Sequence, residues 1–111
     1  MSIIKSEPID KIMRGTLIRT SDLVISSEPF YETNGENFLI LRDIDSCKIK
    51  LNSSTTDHIT IKALTRVLII PDINRIDEEY DEIMIDKGAC VEFYFGFGSW
   101  YIVSSDGLKG S

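Results

Sequence analysis

The stretch Gly88-Ala-Cys-Val-Glu-Phe-Tyr-Phe-Gly-Phe-Gly-Ser-Trp-Tyr-Ile-Val-Ser-Ser105 holds two aromatic and β-branched runs on either side of a Gly-bracketed turn. Val91, Phe93 and Phe95 alternate with Glu92 and Tyr94, the period-2 pattern of a strand with one buried face. Gly96 and Gly98 are expected to supply the positive φ that a tight reversal needs. The stretch therefore predicts a β-hairpin. Consecutive strand residues point to opposite faces, so Trp100 and Tyr101 cannot share one; Trp100 is assigned to the core and Tyr101 to the exposed face.

Upstream the same period recurs. Phe38 to Arg42, Lys48 to Leu51, Ile59 to Lys62, Val67 to Ile70 (ending at Pro71) and Ile83 to Ile85 read as strands, with polar turns such as Asn52-Ser-Ser-Thr-Thr-Asp57 between them. Leu17 to Ser26 offers one or two more. Ser27 to Glu36 reads as a loop, with Asn34-Gly35 as its turn dipeptide. Strand centres spaced by roughly 8 to 12 residues predict an all-β fold, a single antiparallel sandwich or barrel-like domain of jelly-roll type. The expected division is an N-terminal arm over residues 1–14 and the β domain over 15–111. In the arm, Ile3, Ile4, Ile9, Ile12 and Met13 are too apolar for a free tail, and Pro8 interrupts any helix that begins before it. They are candidate partner-binding residues.

The chain has 111 residues and a formal net charge of −6, which suits one domain with one core. Nothing approaches the roughly 18 apolar residues of a membrane span, and the N-terminus lacks the pattern of a secretory signal. The expectation is a soluble protein made in a cytoplasm, with Cys47 and Cys90 as buried free thiols. The acid is concentrated: residues 72–86 carry seven carboxylates against one arginine. Within them Ile73, Ile76, Tyr80, Ile83 and Met84 recur at three- and four-residue steps, which leaves an amphipathic helix open. The alternation of Ile83 and Ile85 before Gly88 favours instead a polar excursion feeding a strand. On such a loop Glu78, Glu79, Asp81 and Glu82 are candidate contacts for a basic partner surface. Lys48, Lys50, Lys62 and Arg66 are dispersed along strands rather than gathered in a basic stripe, so nucleic acid is not an expected partner.

Catalytic chemistry finds few parts. His58 is the single histidine and has no cysteine or second histidine at ligand spacing. The adjacent acids of Asp77 to Glu82 do not form the separated pair, one of them buried, that a glycosidase needs, nor do they match a calcium-binding EF-hand loop. Ser104-Ser-Asp-Gly lacks a nucleophile-elbow context and Gly96-Phe-Gly lacks a following helix. The reading is a protein without enzymatic activity, cofactor or metal, working through its surfaces. Tyr94, Phe97, Trp100 and Tyr101 keep an aromatic sugar-binding surface in view as the alternative.

The succession Cys47-Lys-Ile-Lys-Leu51, His58-Ile-Thr-Ile-Lys62, Leu68-Ile-Ile-Pro71, Asn74-Arg-Ile-Asp77, Gly88-Ala-Cys-Val-Glu-Phe93 and Ser99-Trp-Tyr-Ile-Val-Ser-Ser105 resembles a β-rich module of tailed-phage virion proteins. The resemblance covers residues 38–105. It departs from the module at Asp77-Glu-Glu-Tyr80, where a glycine after Ile-Asp is missing, and at Cys90, where a small hydroxyl residue is usual. A chain of this size is also similar to the small stapling and decoration proteins of podophage heads, those of the Salmonella phage epsilon-fifteen type among them. The resemblance implies a structural protein on the capsid exterior that binds the major capsid protein, stabilises the shell and forms homo-oligomers on the particle. Its alternative is a receptor- or glycan-binding tip module of a tail fibre.

Overall fold

The computed structural model describes residues 23–106, and over these the chain is all β. Nine strands follow in order: β1 (Leu23–Ser26), β2 (Phe30–Glu32), β3 (Phe38–Leu41), β4 (Ser46–Leu51), β5 (His58–Ala63), β6 (Arg66–Pro71), β7 (Ile83–Ile85), β8 (Cys90–Gly96) and β9 (Ser99–Asp106). They form a five-stranded sheet in the order β1-β3-β5-β8-β9 and a four-stranded sheet in the order β2-β4-β6-β7. From β1 to β6 the chain alternates between the sheets at every step. Each strand therefore lands parallel to the one laid down two elements earlier, in the pairs β1–β3, β2–β4, β3–β5 and β4–β6. Only then does the chain reverse, giving the antiparallel pairs β6–β7, β5–β8 and β8–β9.

This corrects the antiparallel expectation: four of the seven pairings are parallel, and neither sheet closes into a barrel. Alternation within a strand records which side is buried and carries no information on which strand lies beside it. The strands from Phe38 onward fall where the sequence pattern places them. β2 lies inside the stretch read as a loop, because three residues with a Pro before and an Asn-Gly after give too short a pattern to register. β1 occupies the end of the Leu17–Ser26 stretch; the arm residues Ile3, Ile4, Ile9, Ile12 and Met13 lie outside the described residues.

Both sheets contribute to one core. β3 and β5 bury Leu39, Leu41, Ile59, Ile61 and Ala63, while β4 and β6 bury Cys47, Ile49, Leu51, Val67 and Ile69. The burial pattern of β4 is strict alternation, with Lys48 and Lys50 outward. Cys47 and Cys90 are free thiols, the first buried and the second half-buried. Burial, with a smaller push from Glu28, raises the Cys47 thiol to about 11. Cys47 behaves as a small apolar side chain.

The β8–β9 hairpin is present, but its turn sits one residue from where the glycines suggest. Gly96 pairs with Ser99, so the two turn residues are Phe97 (φ 52°) and Gly98 (φ 81°), both left-handed as in a type I′ reversal. Gly96 itself lies in the strand, and Phe97 takes a conformation that a bulky side chain disfavours. A bulge between Glu92 and Phe93 leaves Val103 unpaired and half-exposed. Trp100 is fully buried and packs on the half-buried Phe95, with ring centroids 5.2 Å apart. Trp100→Ala should lower unfolding free energy by about 3–5 kcal/mol, measured by denaturant titration, because it removes the largest fully buried side chain of the core and leaves a cavity.

Candidate functional site

The alternating winding sorts the loops by end. Loops 33–37, 52–57 and 72–82 and the hairpin turn meet at one end, where hydrogen bonds lock them to each other. Thr33 Oγ1 accepts from the Asn52 N–H (2.8 Å), Thr56 Oγ1 accepts from Gly35 N–H (2.8 Å), and the Asp57 carbonyl accepts from Phe95 N–H (2.9 Å). Thr33, Glu36 and Thr56 are buried in this polar layer, and burial together with the neighbouring Glu36 carboxylate raises the Tyr31 phenol. Loops 42–45, 64–65 and 86–89 meet at the other end, tied by the Thr65 hydroxyl bonding to the Ile44 and Asp45 carbonyls and by Gly88 N–H bonding to Ala63.

The acidic segment is a loop, not a helix, and much of it is fastened down. Asp72 Oδ2 accepts from both the backbone N–H and the hydroxyl of Ser53 (2.8 Å each), and its Oδ1 accepts from the Trp100 indole (3.0 Å). Ile76 is fully buried and sits beside Trp100 as an isolated bridge. Asp77 covers the free edge of β9: its N–H donates to the Trp100 carbonyl (2.8 Å) and its Oδ1 accepts from the Ile102 N–H (2.9 Å). Unpaired strand edges invite other chains, and Asp77 occupies the Trp100–Ile102 part of this one. The apolar stripe expected of a helix is accordingly split, with Ile76 and Ile83 buried and Ile73 and Met84 exposed.

The candidate acids divide into two groups. Glu78 accepts from the Tyr101 hydroxyl (2.6 Å), a bond that is the main cause of the raised Tyr101 phenol, and Asp81 lies 3.1 Å from Arg75. Glu79 and Glu82 are exposed. With Asn74 and Ser99, the side chains of Arg75, Glu78 and Asp81 line a shallow cleft of about 490 Å3 beside the hairpin turn, and Asn74 Nδ2 donates to the Gly98 carbonyl at 2.6 Å. Five non-glycine residues among those described have positive φ, and four of them fall in the acidic loop and the hairpin turn: Asn74 and Glu78, which line the cleft, and Asp77 and Phe97. Such backbone costs on the order of 1–3 kcal/mol per residue and gathers at sites held for a purpose. Phe97 adds the most unusual feature, a fully exposed aromatic ring at the apex of the turn. Ile73, next to Asn74, is also exposed. The result is an apolar projection with an acidic rim on a rigid base.

The remaining candidate lies on the outer face of the five-stranded sheet. His58 Nε2 and Glu92 Oε2 share a 2.7 Å hydrogen bond, Ser104 donates to Glu92 Oε1 at 3.1 Å, and the His58 ring stacks on Tyr94 with centroids 4.3 Å apart. A serine bonded to the carboxylate instead of the imidazole is not a nucleophile–base pair. The stack covers one face of Tyr94, and the Tyr101 hydroxyl is committed to Glu78, which limits what a sugar ring could lie against. Among the described residues no group of three His, Cys, Asp or Glu side chains is placed to hold a metal. No protein-family model and no curated protein matches the chain.

The structural roles of Asp72 and Asp77 were hidden in the sequence, where both count only as members of an acidic run. In the sequence Phe97 is one of several aromatics near the turn; the signal that separates it is its place between two glycines at a two-residue reversal. For Asp72, burial pushes the carboxyl up, but the bonds from Ser53 and Trp100 outweigh this and hold it below the usual aspartate range. A depressed folded-state value contributes stability above the ordinary aspartate pKa of about 4, and that contribution is lost as pH falls through the folded value. Asp72→Asn should therefore cost about 1–3 kcal/mol near neutral pH. The gap between variant and wild type should narrow below about pH 4, as read from unfolding free energies across a pH series.

Proposed function

We propose that the protein is a structural component of a tailed-phage virion, a sandwich-like β module with an N-terminal arm. In this reading it lies on the outside of the capsid, binds the major capsid protein and staples neighbouring subunits. Phe97 is the observation that carries a contact role: a fully exposed aromatic ring is held in left-handed backbone on a turn that Asn or Gly would form with less strain. A chain that retains strain to display an apolar side chain is suited to docking rather than chemistry. The acidic rim of Glu78, Glu79, Asp81 and Glu82 suits a partner surface that does not repel negative charge. The arm residues Ile3, Ile4, Ile9, Ile12 and Met13 supply reach between subunits, and many copies turn modest contacts into a stable shell.

The tail-fibre alternative draws on the half-exposed Tyr94, whose ring is already stacked on His58. Co-sedimentation with purified heads that lack tails separates the two readings, since a fibre tip has no reason to bind such heads. Binding to heads is expected, and its absence overturns the proposal. Phe97→Asn should raise stability by roughly 1 kcal/mol through relief of the turn while weakening attachment to heads; a variant that is stabilised and binds unchanged removes Phe97 from the contact. Deleting residues 2–13 should likewise weaken attachment without lowering the cooperativity of unfolding.

A further inference from the structure

Among the described residues β2 is an edge of the four-stranded sheet. On its inner side the flanking Pro29 carbonyl accepts from the Lys48 N–H (2.9 Å) and the Thr33 N–H donates to the Lys50 carbonyl (3.1 Å). Backbone groups alternate in direction along a parallel strand, so Phe30 and Glu32 turn theirs to the open side. The side chains alternate too. Phe30, 51% exposed, and Glu32 stand on the outer face, while Tyr31 is half-buried against the core. An edge of this kind is a template for one more strand.

We infer that Leu17-Ile18-Arg19 of the same chain adds to this edge as a parallel strand, with Leu17 beside Phe30, Ile18 beside Tyr31 and Arg19 beside Glu32. The winding selects the occupant. Every strand from β3 to β6 lies parallel to the one two elements earlier, so the segment that precedes β1 belongs beside β2. Residues 20–22, Thr-Ser-Asp, remain for the crossing to Leu23, and the crossings between β1 and β6 are two to six residues long. So short a tether holds the segment at high effective concentration, ahead of the same segment of another copy. The residues select the register. Leu17 meets the exposed Phe30 ring, Ile18 enters the core beside Tyr31, and Arg19 reaches Glu32, whose Oε2 already accepts from the Asn52 amide (2.7 Å). A slip by one residue sets either Ile18 beside Glu32 or Arg19 against the core. The chosen register gives two ladder bonds, from the Ile18 N–H to the Phe30 carbonyl and from the Glu32 N–H to the Ile18 carbonyl. Residues 1–14 then begin at the end of the sheets opposite Phe97, so the arm and the hairpin turn face different neighbours. That last consequence rests on the proposed stapling role; the strand itself does not.

Hydrogen exchange on the full-length protein tests the strand without any substitution. The Ile18 and Glu32 amides should exchange at least about 100-fold more slowly than unstructured amides. Deleting residues 2–19 should abolish the slowing at Glu32 and leave it at Thr33, whose N–H is bonded to Lys50. A cysteine pair then identifies the occupant: Leu17→Cys with Phe30→Cys, in a Cys90→Ser background, should close a disulfide within one chain on mild oxidation, at the mass of a monomer. Leu17→Cys with Met84→Cys, whose second position is exposed on the opposite edge strand β7, should not close. Free exchange at Glu32, protection there that survives the deletion, or equal closure of the two cysteine pairs overturns the inference. A disulfide between two chains also overturns it and gives the edge to the same segment of a second copy. Both measurements use the free protein, so attachment to heads can fail while the strand stands, and the reverse.

Discussion

Trp100 is the point through which the hairpin, the acidic loop and the four-stranded sheet are joined. Its ring fills the core, its indole donates to Asp72, its carbonyl accepts from Asp77, and Asp72 in turn receives Ser53 from the loop after β4. Each of these bonds is modest, but they converge on one buried residue and its partner Asp72. A buried indole N–H needs an acceptor, and placing that acceptor on the chain just after β6 fixes where the acidic loop begins. The loop then runs along β9 with Ile76 in the core, and Asn74 reaches the hairpin turn. The rigidity of the end that carries Phe97 follows from this one placement.

The acidic loop serves as structure on one side and as surface on the other. Asp72 and Asp77 spend their oxygens on backbone and indole donors, Glu78 on a tyrosine, and Asp81 on Arg75. Glu79 and Glu82 remain in solvent. A run of like charges that would repel itself on a free loop is thereby held in place by donors from the loop after β4, from β9 and from Arg75 within the loop itself. The backbone is left-handed at Asn74, Asp77 and Glu78, where the Asn74 amide donates to the Gly98 carbonyl and the Asp77 and Glu78 carboxylates accept from Ile102 and Tyr101. Asn and Asp tolerate that region better than most residues, and Glu78 is the costlier member.

Much of the secondary structure was legible from alternation: β4 with Cys47, Ile49 and Leu51 inward, β5 with Ile59 and Ile61, and the hairpin with Phe93 and Trp100. The division of Trp100 from Tyr101 also follows from it. Topology was not legible, because the partner of a strand is set by where the chain crosses between sheets, and the crossings here are short polar loops without a distinctive signature. β2 escaped for want of length. At the site, charge made the acidic residues visible, but a carboxylate that accepts a backbone N–H has the same letter as one in water. Phe97 was visible as an aromatic; its exposure depends on the Gly96–Ser99 register, which only the folded hairpin sets.

The alternation of β1 to β6 between sheets has a consequence for how the fold is reached. Neither sheet is a continuous piece of sequence, so neither can be completed before the other has begun. β1 cannot find β3 until the chain has passed through β2, and the parallel registers join residues 15 to 22 positions apart, such as Leu23 with Phe38 and Phe38 with Thr60. Loop-closure entropy must be met before those pairings are rewarded, so assembly should be slow relative to a chain of hairpins. The β8–β9 hairpin, closed by two residues, is the local exception and a natural place for folding to start. The same interleaving means that a cut between β1 and β6 severs both layers at once, and the domain holds or fails as a single cooperative unit.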